Sequence, residues 1–125
     1  MDWVRTGAVS AVVVGAALLT APSAAGAVAV EASCAKGDVC VWSGKAGQGT
    51  RCHWRGNDPD WRGGAVRCGI KVRSIWNNGR TNDPYNKVRF YRQKDYQSQI
   101  SDPVPVTAKP ITAGGLTIRS HRWTR

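Results

Sequence analysis

Val72-Arg73-Ser74-Ile75-Trp76-Asn77-Asn78-Gly79 is the stretch whose reading decides the fold. From Cys68 onward, Ile70, Val72, Ser74 and Trp76 alternate with Lys71, Arg73 and Ile75, the period of a half-buried strand with one largely basic face. Asn78-Gly79 tolerates positive φ and predicts that the strand ends in a tight turn. Ser74 is a small hydroxyl on the expected inward face. Buried there it needs a partner, most simply the backbone of a hairpin folded over the sheet. Near the C-terminus Ile118-Arg119-Ser120 repeats Val72-Arg73-Ser74, again after a glycine-containing turn and an apolar residue. One Greek-key unit used twice accounts for both.

Upstream, Arg5 precedes an apolar, small-residue run from Ala8 to Leu19, followed by Thr20-Ala21-Pro22-Ser23 and Ala25-Gly26-Ala27. A basic residue, an apolar region and an A-x-A site predict a secretory signal peptide over 1–27, cleaved after Ala27 or, alternatively, Ala29. The run is too short and too rich in Ala and Gly to serve comfortably as a membrane anchor. What remains, 28–125, is one small domain whose core is marginal without cross-links.

The four cysteines, Cys34, Cys40, Cys52 and Cys68, all lie in the N-terminal half of that domain. In an exported chain they read as disulfides, with three pairings open. Cys34–Cys40, closing a tight loop through Lys36-Gly37-Asp38, and Cys52–Cys68, closing a long one, are favoured. Zinc is disfavoured because there is no C-x-x-C pair and His53 is the only nearby imidazole. The whole chain carries 18 basic and 8 acidic residues, net +10; the predicted signal removes one of each, Arg5 and Asp2, and leaves that balance unchanged. Such a charge steers a secreted protein to acidic proteins, anionic cell-wall polymers or membrane surfaces. The basic residues are spread rather than gathered in a run, which argues against a nucleic-acid arm.

The rest of the chain reads as short strands and turns: Val39 to Ser43, a Gly-rich hairpin at Gly44, Gly47 and Gly49, then Thr50 to Arg55. Asn57-Asp58-Pro59-Asp60-Trp61-Arg62-Gly63-Gly64 is dense in turn-formers, with the aspartates as turn caps. Lys87 to Tyr91 opens a second half, Gln93 to Ser98 is its hairpin, and Leu116 to Trp123 is the closing strand. Asp102-Pro103-Val104-Pro105-Val106 is extended but not central in a sheet, since proline lacks a ladder donor. No segment has a helical period. The expectation is an all-β, disulfide-stapled sandwich with one Greek key over about 34–79 and the other over about 87–123.

The spacing has a known counterpart. Trp42, Gly47, Gly49 and Ser74 in the first half, and Tyr91, Tyr96, Ser98 and Ser120 in the second, resemble the βγ-crystallin signature. That signature is aromatic-x4-aromatic-x-Gly with a later serine that bonds the folded hairpin. Gly47 departs from it in one copy and Ser98 in the other. Crystallin-type calcium sites place Asn or Asp four and five positions before the serine. Here Gly69, Ile70, Gly115 and Leu116 stand there, so no metal is expected. Cys-x5-Cys-x-Trp, Cys52-His53-Trp54, Asp58-Pro59-Asp60-Trp61-Arg62-Gly63-Gly64, Val72-Arg73-Ser74 with Asn77-Asn78-Gly79, and Ser120-His121-Arg122-Trp123 together resemble the actinobacterial peptidase inhibitor family I36.

That resemblance implies a secreted, extracellular inhibitor of proteases, metalloproteases of the thermolysin type being favoured, which acts through a rigid substrate-like loop. By alignment on Tyr91 it implies an inhibitory bond at Gln99-Ile100, with apolar Ile100 just after the bond. No cysteine follows Cys68, so this loop lacks the family's staple; Pro103 and Pro105 stiffen the segment after it, a weaker constraint. A competing reading is a cationic, killer-toxin-like module binding anionic cell-wall polymer or membrane, with Trp61 and Trp123 as ligand-facing aromatics. An enzyme is not expected: His53 and His121 are the only imidazoles, and G-x-S-x-G, H-E-x-x-H and phosphate-cradling loops are lacking. No cofactor is implied, and a monomer is expected.

Overall fold

The computed structural model describes residues 31–125. The predicted signal peptide and its cleavage points after Ala27 or Ala29 lie outside the described residues. The described chain is all-β, with strands β1 Val39–Trp42, β2 Arg51–Trp54, β3 Lys71–Asn77, β4 Lys87–Gln93, β5 Gln97–Val104, β6 Ile111–Thr117 and β7 Ser120–Thr124. They form two antiparallel sheets, ordered β2-β1-β3-β6 and β5-β4-β7.

The two halves exchange segments. In each sheet the first strand of one half lies between its hairpin partner and its last strand, so β1 and β4 hold equivalent places. The fourth strand of the first sheet, β6, comes from the second half. In return, the first-half segment at Asp58 bridges β7, with Asp58 and His121 exchanging backbone bonds of 3.1 and 3.0 Å. β6 and the Asp58 bridge thus each tie one half to the sheet of the other.

Between the sheets, β-branched and aromatic residues fill one core: Val39 and Val41 of β1, Trp54 of β2, Val72 and Ile75 of β3, Val88 and Phe90 of β4, and Ile100 of β5. The Cys52–Cys68 disulfide lies in this core, while Cys34–Cys40 lies in a smaller cluster with Trp42, Ala32 and Trp76. All four cysteines are therefore paired.

Each hairpin is clamped by a buried serine. Ser74 donates to the Gly44 carbonyl at 2.7 Å and accepts from the Gly47 N–H at 2.9 Å. Ser120 donates to the Gln93 carbonyl at 2.6 Å and accepts from the Tyr96 N–H at 3.1 Å. In both halves the partners stand two and five residues after the aromatic, Trp42 or Tyr91. The hairpin backbones match as well: φ is positive at Ala46, Gly47 and Gly49, and again at Asp95, Tyr96 and Ser98. Gly47 departs from an aromatic for a steric reason, because a Cβ there would lie 2.3 Å from that of Ala32. Tyr96 at the equivalent place has its ring under the Arg122 guanidinium, 4.6 Å from its centroid.

Three local expectations are corrected. Strict alternation fails in β3: Val72 and Ile75, three residues apart, both enter the core, where the register against β6 shifts between Val72 and Ser74. Asn78-Gly79 makes no positive-φ turn. Glycine is required at 79 for space instead, since a Cβ would lie 2.8 Å from the Trp123 ring. The closing strand from Leu116 to Trp123 is two strands, because the chain crosses between sheets at Ile118-Arg119 and begins β7 at Ser120.

Candidate functional site

Cys52, on β2, is held in the sheet by its pairing with Val41. Its disulfide partner Cys68 lies just before β3, so the staple fixes the far end of the segment that starts at Asn57. That segment begins with two turns capped by aspartate. Asp58 accepts from the Asp60 N–H at 2.9 Å, and Asp60 accepts from the Arg62 N–H at 3.0 Å through its carboxylate and from the Gly63 N–H at 3.0 Å through its carbonyl. The Arg62 amide, with the nearby Arg119 guanidinium, holds the Asp60 carboxyl below its ordinary range.

Trp61 is fully buried, with 0 % exposure. Its ring stacks on Trp54 at 4.4 Å between centroids and meets the edge of Phe90, and its N–H donates to His121 Nδ1 at 2.9 Å. The expectation that Trp61 faces a ligand is thereby overturned. Turn-formers around it do keep the backbone at the surface, but the aspartates satisfy that backbone, which frees the indole to enter the core.

Between Trp61 and Cys68 the chain forms a closed-neck loop. The Cys68 N–H donates to the Trp61 carbonyl at 2.7 Å, and the Cys52–Cys68 disulfide lies at the same neck. Arg62, Gly64, Ala65, Val66 and Arg67 are exposed and Gly63 is half-exposed. Val66 is one of the few large apolar side chains left to solvent in the described residues, with Tyr85 and Ile111. Sequence reasoning passed over this loop; the available signal was an apolar residue in a small and charged run directly before a cysteine.

Gln99 and Ile100 are not on a projecting loop. They lie in β5, paired with Tyr91 and Phe90 of β4. Gln99 is exposed, but the Ile100 side chain is 9 % exposed and belongs to the core. The hairpin from Gln93 to Ser98 is tight enough that strand pairing resumes at Gln97, which carries Ile100 inward. Pro103 lies within β5, an edge strand where a missing donor is tolerated.

Trp123 is half-buried and lines a cleft of about 280 Å³ with Gly37, Arg55, Gly79, Arg80, Asp83 and Tyr85. The Arg125 guanidinium lies over the Tyr85 ring, 4.9 Å from its centroid. Arg55 is engaged with Asp38, at 3.0 Å. A basic-aromatic surface therefore exists, centred on Trp123 and Tyr85 rather than on Trp61.

The family model for peptidase inhibitor family I36 matches residues 27–101, more than half of the chain. The chain belongs to this family. It is accordingly a peptidase inhibitor and not an enzyme, and its partner is a protease. No curated protein and no solved structure matches it. The I36 match runs through the stapled first half and ends within β5, so it includes the closed-neck loop and leaves out β6 and β7.

Proposed function

We propose that this I36 inhibitor is secreted and acts on metalloproteases of the thermolysin type by presenting an exposed, substrate-like segment to the protease cleft. The observation that supports the reading best is the loop 62–67. It is exposed over most of its length and bears an apolar side chain; a backbone bond closes its neck, and the disulfide from Cys68 to Cys52 on β2 anchors one end. A loop whose two ends are fixed loses less freedom on binding than an open segment, so more of its contact energy appears as affinity. Pairing of all four cysteines suits an oxidising, extracellular compartment, in keeping with a signal peptide read from the apolar run Ala8 to Leu19.

The test is a titration of active thermolysin with the oxidised mature domain, with subtilisin and trypsin alongside. Stoichiometric loss of thermolysin activity is the expected outcome; full activity at excess inhibitor would refute the metalloprotease assignment.

A second reading, binding of anionic cell-wall polymer, is favoured by Arg80, Tyr85 and Trp123 in the cleft that Asp83 also lines. Sugar rings stack on such aromatics while guanidinium groups meet the anion. It predicts co-sedimentation with teichoic-acid-bearing walls that Arg80→Ala weakens, and equal retention of the variant would count against it.

A further inference from the structure

We infer that the loop 62–67 is the bait itself, with the Ala65–Val66 bond in the scissile position and the Val66 side chain in the apolar pocket that follows that bond. The inference rests on the inhibitor reading above and names its site. A protease cleft takes its substrate as an added strand, which requires free backbone N–H and C=O groups as well as a side chain for the pocket. Among the described residues, Ala65, Val66 and Arg67 make no backbone hydrogen bond, and all are exposed.

The other exposed apolar side chains fail one of these requirements. Ile111 is in β6, paired with Ile75 of β3. Tyr85 has its N–H occupied by the Asp83 carboxylate at 2.9 Å and one face of its ring under Arg125. Val66 alone of these combines an accessible side chain with an unpaired backbone.

The loop also carries two arginines, which would suit a trypsin-like serine protease. Their bonds are shielded. The bond after Arg67 joins it to Cys68, which is 3 % exposed and whose N–H is held by the Trp61 carbonyl. The bond after Arg62 joins it to Gly63, whose N–H is held by the Asp60 carbonyl. The Ala65–Val66 bond has no such restraint, and an apolar residue on its C-terminal side fits a metalloprotease. If the protease hydrolyses it, one water adds to give a carboxylate on Ala65 and an amine on Val66. Neither end leaves, because buried Trp61 holds one limb and the disulfide at Cys68 holds the other.

The test compares wild type, Val66→Asp, Val66→Leu and Arg67→Ala against thermolysin and trypsin, with thermal melting of each variant as a fold control. Val66 is exposed, so all variants are expected to melt like wild type. Val66→Asp is expected to weaken thermolysin inhibition about 100-fold or more, while Val66→Leu retains it. Equal inhibition by wild type and Val66→Asp overturns the loop and leaves the inhibitor reading standing. Absence of thermolysin inhibition by wild type overturns both. Inhibition of trypsin that Arg67→Ala abolishes overturns the choice of bond.

Discussion

Trp61 Nε1 donates to His121 Nδ1 at 2.9 Å, joining a turn of the first half to the last strand of the second. Because Nδ1 accepts, the imidazole proton resides on Nε2, which donates to the Gly56 carbonyl at 2.8 Å. The ring is thus neutral and fully satisfied. Burial pushes its pKa down from 6.5 to about 4, against the smaller opposing effects of the Gly56 bond and Asp58.

A pH dependence follows. The folded pKa lies below the unfolded one, so the stability contributed by the neutral ring is complete above about pH 6.5 and is lost as the pH falls towards 4. The loss amounts to about 3 kcal/mol by the size of the shift. Urea midpoints should fall across that window in wild type. In His121→Phe, which is less stable at neutral pH because Trp61 N–H is orphaned, the fall should be much smaller.

The serine clamps predict matched losses. Ser74→Ala and Ser120→Ala each remove two hydrogen bonds and leave a hairpin N–H and C=O to find other partners. Each should cost about 1–3 kcal/mol in denaturant unfolding. The two sites share no partner, so the double variant should show the sum to within about 0.5 kcal/mol.

Ser98 sits at φ 61°, where the first half has Gly49 at φ 89°. Ser98→Gly should therefore stabilise by about 0.5–1 kcal/mol, relief of left-handed strain outweighing the added freedom of the unfolded chain. The reverse exchange, Gly49→Ser, should destabilise, since a Cβ there would lie 2.5 Å from Ser43 Oγ. Thermal melting of both variants checks the asymmetry.

Ile100 packs in the core against a background where its neighbour Gln99 is solvent-exposed. Ile100→Ala should cost about 2–4 kcal/mol, whereas Gln99→Ala should stay within about 0.5 kcal/mol of wild type. A stability-neutral Ile100→Ala would contradict its placement.

The repeat was legible in the sequence because it is made by local backbone demands. Ser74 and Ser120 stand at nearly equal distances from an aromatic, and Gly47, Gly49 and Ser98 mark some of the positive-φ positions of the two hairpins. Asp58 and Asp60 were legible as turn caps for the same local reason. What could not be read was which way a side chain points once its backbone is satisfied. Trp61 lies among turn-formers yet is buried, because Phe90 and His121 of the second half close over it, and Ile100 follows a hairpin yet is buried, because it enters the core shared by both sheets. Gly79 illustrates the same limit, as its need arises from Trp123, forty-four residues away.

The most direct measurement mixes the oxidised domain with an equimolar amount of thermolysin and follows both protease activity and the intact mass of the domain over time. The account predicts prompt loss of activity with the domain remaining a folded, disulfide-held unit, any slow cut falling at Ala65–Val66. Undiminished activity with rapid degradation of the domain would make it a substrate, and would contradict the account.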